Sequence, residues 1–222
     1  MIEFEQLVPA IRANSAKDQV EKAVISRLYL ELPETKDVAK EVIDKNNRSL
    51  NLRREDIKAE GDIKKQIIKI LIWGYPKDTR NTKILLKKEN LEKIIQAVEK
   101  YNPEDNNGEI VLDELLTIKR LGLSTASKIL YFRGIKVGNY KAIIIDSRVR
   151  KGFEYITEFQ KLSKTSEGAS YYGKALKIVC NLAKQYELDP EDVEYALFKL
   201  GEYWGKYSTI TSESLNRLMK EE

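Results

Sequence analysis

The sequence predicts an all-α, two-lobed protein on three observations. Apolar residues recur at helical spacing, no stretch alternates long enough to build a sheet, and the breaks are short polar clusters. Val20, Ala23, Val24 and Leu28 predict one amphipathic helix; Ile63, Ile67, Ile70 and Leu71 predict another; Leu91, Ile94, Ile95 and Val98 a third. Leu176, Val179, Cys180 and Ala183 follow, then Val193, Ala196, Leu197 and Leu200. The last stripe carries its own punctuation in "LDPEDVEYALFKLG", with Asp189 as N-cap, Pro190 at the first helical position and Gly201 as a stop. Polar breaks fall at Asp44–Asn51, Tyr101–Glu109 and Lys161–Ser170, and none resembles a flexible linker. The expected organisation is one compact unit: an N-terminal helical segment over residues 1–60, a core over 61–205, and a polar tail or final helix over 206–222.

Composition removes whole classes of chemistry. The 222 residues include no histidine, which excludes His-based nucleophilic catalysis and His-ligated zinc. The single cysteine, Cys180, excludes an intrachain disulfide and a Cys-ligated cluster, and its apolar helical position reads as a buried structural thiol. Catalysis therefore rests on Asp, Glu, Lys, Ser, Thr, Tyr or an oxygen-ligated metal, and neither a resident metal nor a cofactor is expected. The longest aliphatic run, Ala142–Ile145, is far short of the ~20 residues a membrane span needs. The opening "MIEFEQL" places acids where a signal peptide carries bases, so a cytoplasmic protein is expected.

Charge is unevenly spread. The net charge is +4, but Leu115–Phe153 holds nine cations against one acid, Asp146. Such a segment, on an otherwise acidic chain, is the footprint of a polyanion-binding surface, or else a face whose cations meet acids elsewhere in the fold. Within it, "IKRLGLSTASKILYFRG" reads as a helix ending near Arg120, a turn at Leu121–Leu123 and a second helix opening at Ser124 or Thr125. Gly122 is expected to take a positive φ and to let another backbone approach. An αα-corner needs the same residues. As a helix–hairpin–helix, the second helix would offer unpaired N–H groups and its positive dipole end to a DNA phosphate.

This hairpin, with its basic second helix, the connection "FRGIKVGNYK" and the following "IIIDSRVRKG", resembles the helix–hairpin–helix DNA glycosylase superfamily. Among its branches the chain is most similar to prokaryotic 8-oxoguanine-glycosylase-like proteins, over roughly Asp62 to Gly205. The resemblance implies a two-lobed helical fold and double-stranded DNA as partner. It also implies an acid at the start of the helix after the hairpin, the position of Asp146. The family hairpin usually reads L-x-G-x-G; here Arg120 stands at the first glycine and only Gly122 remains. Bifunctional members carry a Schiff-base lysine two residues after the second glycine, a position held here by Ser124. Lys128, one turn further and about 6 Å along the axis, is an alternative amine if the pocket moves.

Asp146 would stabilise the oxocarbenium-like sugar formed as an N-glycosidic bond breaks, or else cap the helix "SRVRKGFEYI"; both roles are compatible. Lys119, Arg120, Gly122, Thr125, Lys128, Arg148 and Arg150 are the expected DNA contacts. Trp73, Tyr75 and Arg80 in "WGYPKDTRN" are candidates for base or wedge contacts, and Tyr140, Tyr171 and Tyr172 for pocket residues. The resemblance implies a monofunctional glycosylase that excises a damaged, oxidised purine. The alternative is a non-catalytic DNA-binding module of the same fold.

Overall fold

A computed structural model of the chain describes residues 2–14, 16, 20–21, 23–44, 49–77, 80–164 and 168–202. The tail expected over 206–222 lies outside them. The α-helices begin with α1 (Val8–Arg12), α2 (Leu28–Glu31), α3 (Lys36–Val42) and α4 (Arg54–Lys58). They continue through α5 (Ile63–Gly74), α6 (Arg80–Leu85), α7 (Lys88–Glu99), α8 (Gly108–Thr117) and α9 (Leu123–Phe132). The series ends with α10 (Ser147–Phe153), α11 (Ala169–Gln185) and α12 (Pro190–Glu202). Among the described residues, sheet structure is confined to two antiparallel ribbons, β1 (Val20–Glu21) with β2 (Leu52–Arg53) and β3 (Lys136–Val137) with β4 (Tyr140–Lys141). The protein is all-α, and among the described residues no helix is long and apolar enough to cross a membrane.

Four of the five apolar stripes form the helices their spacing predicts. Ile67, Ile70 and Leu71 in α5, Leu91, Ile94 and Val98 in α7, Leu176 and Val179 in α11, and Val193 and Leu197 in α12 are all buried. The stripe from Val20 to Leu28 does not form a helix. Val20 pairs with Arg53 in the first ribbon, Val24 bridges Ser49 with its side chain 48% exposed, and helix begins only at Leu28. The extended backbone there is satisfied across the ribbon, with the Leu50 N–H bonded to the Ala23 carbonyl at 2.7 Å, which outweighs a short helical pattern. Cys180 is half-buried, and its thiol is pushed up to about 11 by burial and by Asp189, which keeps it a protonated, unreactive group.

One apolar core runs through the molecule. Phe4, Leu7, Ile11, Tyr29, Leu50 and Ile57 from the first sixty residues share it with Ile129, Ile145 and Leu200. Two glycines set one of its close backbone contacts. A methyl carbon on Gly152 of α10 would fall 2.1 Å from the Leu197 carbonyl oxygen, and one on Gly201 would fall 1.8 Å from that of Arg148. The helices α10 and α12 therefore meet backbone to backbone. Gly201 does not stop α12, which continues to Glu202; this glycine is needed for close approach.

A buried ion pair ties the N-terminal segment to this unit. Arg54 of α4 donates to both carboxylate oxygens of Glu194 in α12, at 2.7 and 3.3 Å, with each side chain 1% exposed. The guanidinium also lies 5.3 Å from the Tyr131 ring centroid and 5.8 Å from that of Trp73. Removing one partner leaves the other charged and dry. Glu194→Ala should cost about 3–5 kcal/mol, whereas replacing both residues by apolar ones of similar volume should recover much of that loss. Denaturant midpoints of the single and paired variants check this.

Candidate active site and nucleic-acid interface

The site is assembled where α9, the chain after the β3–β4 ribbon and α10 converge. After β4 the chain runs without helix or strand through Ala142, Ile143, Ile144 and Ile145, all buried. Its polar groups are met from two sides. The Tyr172 hydroxyl of α11 donates to the Ile143 carbonyl at 3.0 Å and accepts from its N–H at 3.2 Å, and the Ile145 N–H donates to Ser127 Oγ at 3.0 Å. Apolar packing and these bonds deliver Asp146 to a fixed point at the mouth of α10. There Asp146 Oδ1 accepts from the N–H groups of Arg148 and Val149 at 2.9 and 3.0 Å, so it is the N-cap.

Its other oxygen has a different partner. Asp146 Oδ2 lies 3.5 Å from Lys128 Nζ, and the two side chains are 16% and 4% exposed. The Lys128 ammonium also donates to Ser124 Oγ at 3.1 Å. Helical side chains lean toward the helix N-terminus, so a lysine at 128 covers the turn bearing residue 124. The amine reaches that turn without any shift of the helix. Burial opposes ionisation of Asp146, but the Lys128 charge and the backbone N–H groups of Val149 and Arg148 more than offset it. The carboxyl is held below its ordinary value. An ionised carboxylate, an amine and a hydroxyl thus share one nearly dry corner.

The last turn of α5 closes this corner. A methyl carbon on Gly74 would lie 3.1 Å from Lys128 Cδ, and the next residue, Tyr75, hydrogen-bonds through its hydroxyl to Thr125 Oγ1. Trp73 is only 6% exposed, with its ring edge-on to Phe132 at 5.5 Å, so it is a core residue with no face open to a base in this conformation. Tyr75 is half-buried and Arg80 exposed. Thr125 is 1% exposed and its hydroxyl is hydrogen-bonded to that of Tyr75. Tyr171 and Tyr172 are buried, the latter spent on Ile143, and Tyr140 is half-buried on the ribbon. Sequence reasoning missed Gly74. Gly74 followed by Pro76 reads in the sequence as an ordinary helix stop, which hides the packing role of the glycine.

The turn between α8 and α9 differs from expectation in one residue. Gly122 has φ −87° and ψ 175°, ordinary extended backbone, and not the positive φ expected of it. The left-handed residue is Arg120, at φ 70°. A turn closed by the Leu121 N–H on the Ile118 carbonyl at 3.0 Å places Arg120 third, the position where a positive φ usually selects glycine. Gly122 instead leaves open space, since a Cβ there would meet no atom within 4 Å. Ile118 and Leu121 are buried while Lys119 and Arg120 are exposed, so the turn is nailed down by its ends and presents two cations.

The basic segment is less uniform than its sequence. Lys128 is interior, Arg133 donates to Gln66 Oε1 at 2.8 Å, Lys151 pairs with Glu154 at 3.0 Å, and Arg148 lies 3.9 Å from Glu202. Arg150 is half-buried. Lys119, Arg120, Lys136 and Lys141 are exposed, with no ion pair among the described residues.

Two measurements check this geometry. Arg120→Gly should raise stability by about 1 kcal/mol by relieving the left-handed backbone, read from thermal or denaturant unfolding. A neutral result would show the turn relaxed. Because the Asp146 carboxyl is depressed in the folded state, its contribution is present above the unfolded value near ~4 and is lost as pH falls through the folded value. The stability gap between the native protein and Asp146→Asn should therefore be flat from about pH 5 to 8 and close at lower pH; a gap that widens in acid would contradict the sign.

Over residues 16–198 the chain matches the family model described as "Putative 8-oxoguanine DNA glycosylase OGG-like protein". No curated protein and no solved structure matches it. The matched span begins well before Asp62, so it takes in most of the first sixty residues, and it includes Ser124, Lys128 and Asp146. The chain belongs to this 8-oxoguanine DNA glycosylase OGG-like family.

Proposed function

We propose that the protein excises an oxidised purine flipped out of duplex DNA, with Asp146 beside the sugar and Lys128 as the adjacent amine. The observation that carries the reading is the contact set of Lys128 Nζ, 3.1 Å from Ser124 Oγ and 3.5 Å from Asp146 Oδ2. Ser124 alone implies a monofunctional enzyme in which water attacks the sugar. The amine leaning over Ser124 supports a second route. The Lys128 ammonium gives one proton to the departing base, its nitrogen bonds to C1′ as the C1′–N bond breaks with its electron pair on the base, and the secondary ammonium so formed loses its extra proton to solvent. Opening of the sugar ring then gives an imine that borohydride reduces to a stable adduct. On either route the ionised Asp146 stabilises positive charge at C1′.

The exposed pair Lys119 and Arg120, with open space at Gly122 and the first turn of α9 behind it, supports phosphate contact at this edge. Arg148 and Arg150, which follow the acid, would add to it. Double-stranded DNA is the proposed partner, and the contacts are backbone contacts that do not read sequence.

Duplexes bearing single oxidised purines, incubated with the protein with and without borohydride, test the proposal. The native protein should release the base and form a reduced adduct, and Lys128→Gln should form none. Asp146→Asn keeps a capping oxygen, so it should fold and bind DNA while excision falls by about 10² to 10³. Base release without an adduct would return the reaction to water and the monofunctional route. DNA binding without base release from any lesion would favour the non-catalytic module, with Asp146 as cap alone.

A further inference from the structure

Gly74 closes α5 with a φ outside the left-handed region, so its backbone does not require glycine. Alanine is the better helix former, and yet no side chain stands there. What the glycine provides is room. A Cβ at this position would lie 3.1 Å from Lys128 Cδ, closer than a Cβ normally packs, and 3.4 Å from Cε. The two helices have little freedom to separate. Tyr75, the next residue, is bonded through its hydroxyl to Thr125 of α9, and its carbonyl accepts from the Tyr29 hydroxyl at 2.7 Å. Thr125 and Tyr29 are themselves buried, at 1% and 0% exposure. A methyl group at 74 would therefore press on the lysine stem and leave α5 in place.

We propose that Gly74 is a positioning residue, whose missing side chain forms the slot along which the Lys128 stem runs so that its amine arrives between Ser124 and Asp146. The slot is specific to an amine carried at 128. A lysine at 124 would approach the same corner from the preceding turn, without lying along Gly74. The glycine, the serine and the lysine form one arrangement: 128 supplies the amine, 74 the space and 124 an acceptor that holds it. The inference rests on the reading that the Lys128 amine acts at the sugar, but the placement of that amine is measurable without any reaction.

The test is Gly74→Ala, read two ways. The first is the rate of borohydride trapping on a lesion duplex, which should fall about 2- to 10-fold for a displacement of roughly a few tenths of an ångström, with thermal stability equal to the native protein or higher. The second is the titration of the Asp146 carboxyl, followed by carbon-13 NMR in the free protein. It should move up towards the ordinary carboxylate range as the Lys128 charge is pushed away, and a merely structural glycine would leave it unmoved. Unchanged trapping together with an unchanged Asp146 titration would overturn the proposal. If the native protein traps no adduct and the Asp146 titration still moves in Gly74→Ala, the positioning role stands and the amine chemistry falls. A destabilised Gly74→Ala with an unmoved titration would make Gly74 a packing residue only.

Discussion

Everything at the site depends on keeping Lys128 and Asp146 3.5 Å apart in a corner where the lysine is 4% exposed. An ion pair this dry is held in place by its surroundings as much as by its own attraction, because taking both charges out of water costs nearly what their attraction returns. The surroundings here are specific. Asp146 is fixed by two N–H groups of α10, and Lys128 by Ser124 and by the slot at Gly74. The corner therefore keeps an ionised acid and an amine together before any substrate arrives.

The larger fold serves that geometry through close contacts. The backbone contact between α10 and α12 at Gly152 and Gly201 fixes the helix that begins at Asp146. The bonds from Tyr172 and Ser127 fix the segment that delivers it. Arg54 and Glu194 anchor α4 to α12, and the Arg54 guanidinium lies over Trp73 and Tyr131 on α5 and α9. The helices bearing Gly74, Lys128 and Asp146 are thus tied to one another by buried polar contacts. Packing of apolar faces alone would leave them freer to slide.

Much of this was legible in the sequence. Helical spacing identified α5, α7, α11 and α12, and the apolar run ending in "DSRV" marked Asp146 as an acid opening a helix. Other features were not, for physical reasons. The stripe at Val20–Leu28 is too short to compete with cross-strand bonding. Trp73 looked like a loop aromatic because its neighbours are Gly, Tyr and Pro, but it closes a helix and packs inward on Phe132. Gly122 was assigned the positive φ because glycine is its usual bearer, while the chain places that strain on Arg120. The reach of Lys128 back over Ser124 was present in the sequence, since helical side chains lean towards the N-terminus; spacing along the axis alone hid it.

Ser124 holds the position where the resemblance places a lysine, and Lys128, one turn further along α9, brings its amine within 3.1 Å of Ser124 Oγ. The most direct test is to reduce the complex with an oxidised-purine duplex by borohydride, digest the protein and map the modified peptide by mass spectrometry. The expected result is a single adduct on Lys128, within the peptide that also carries Ser124. An adduct on any other lysine, or base release with no adduct at all, would contradict it.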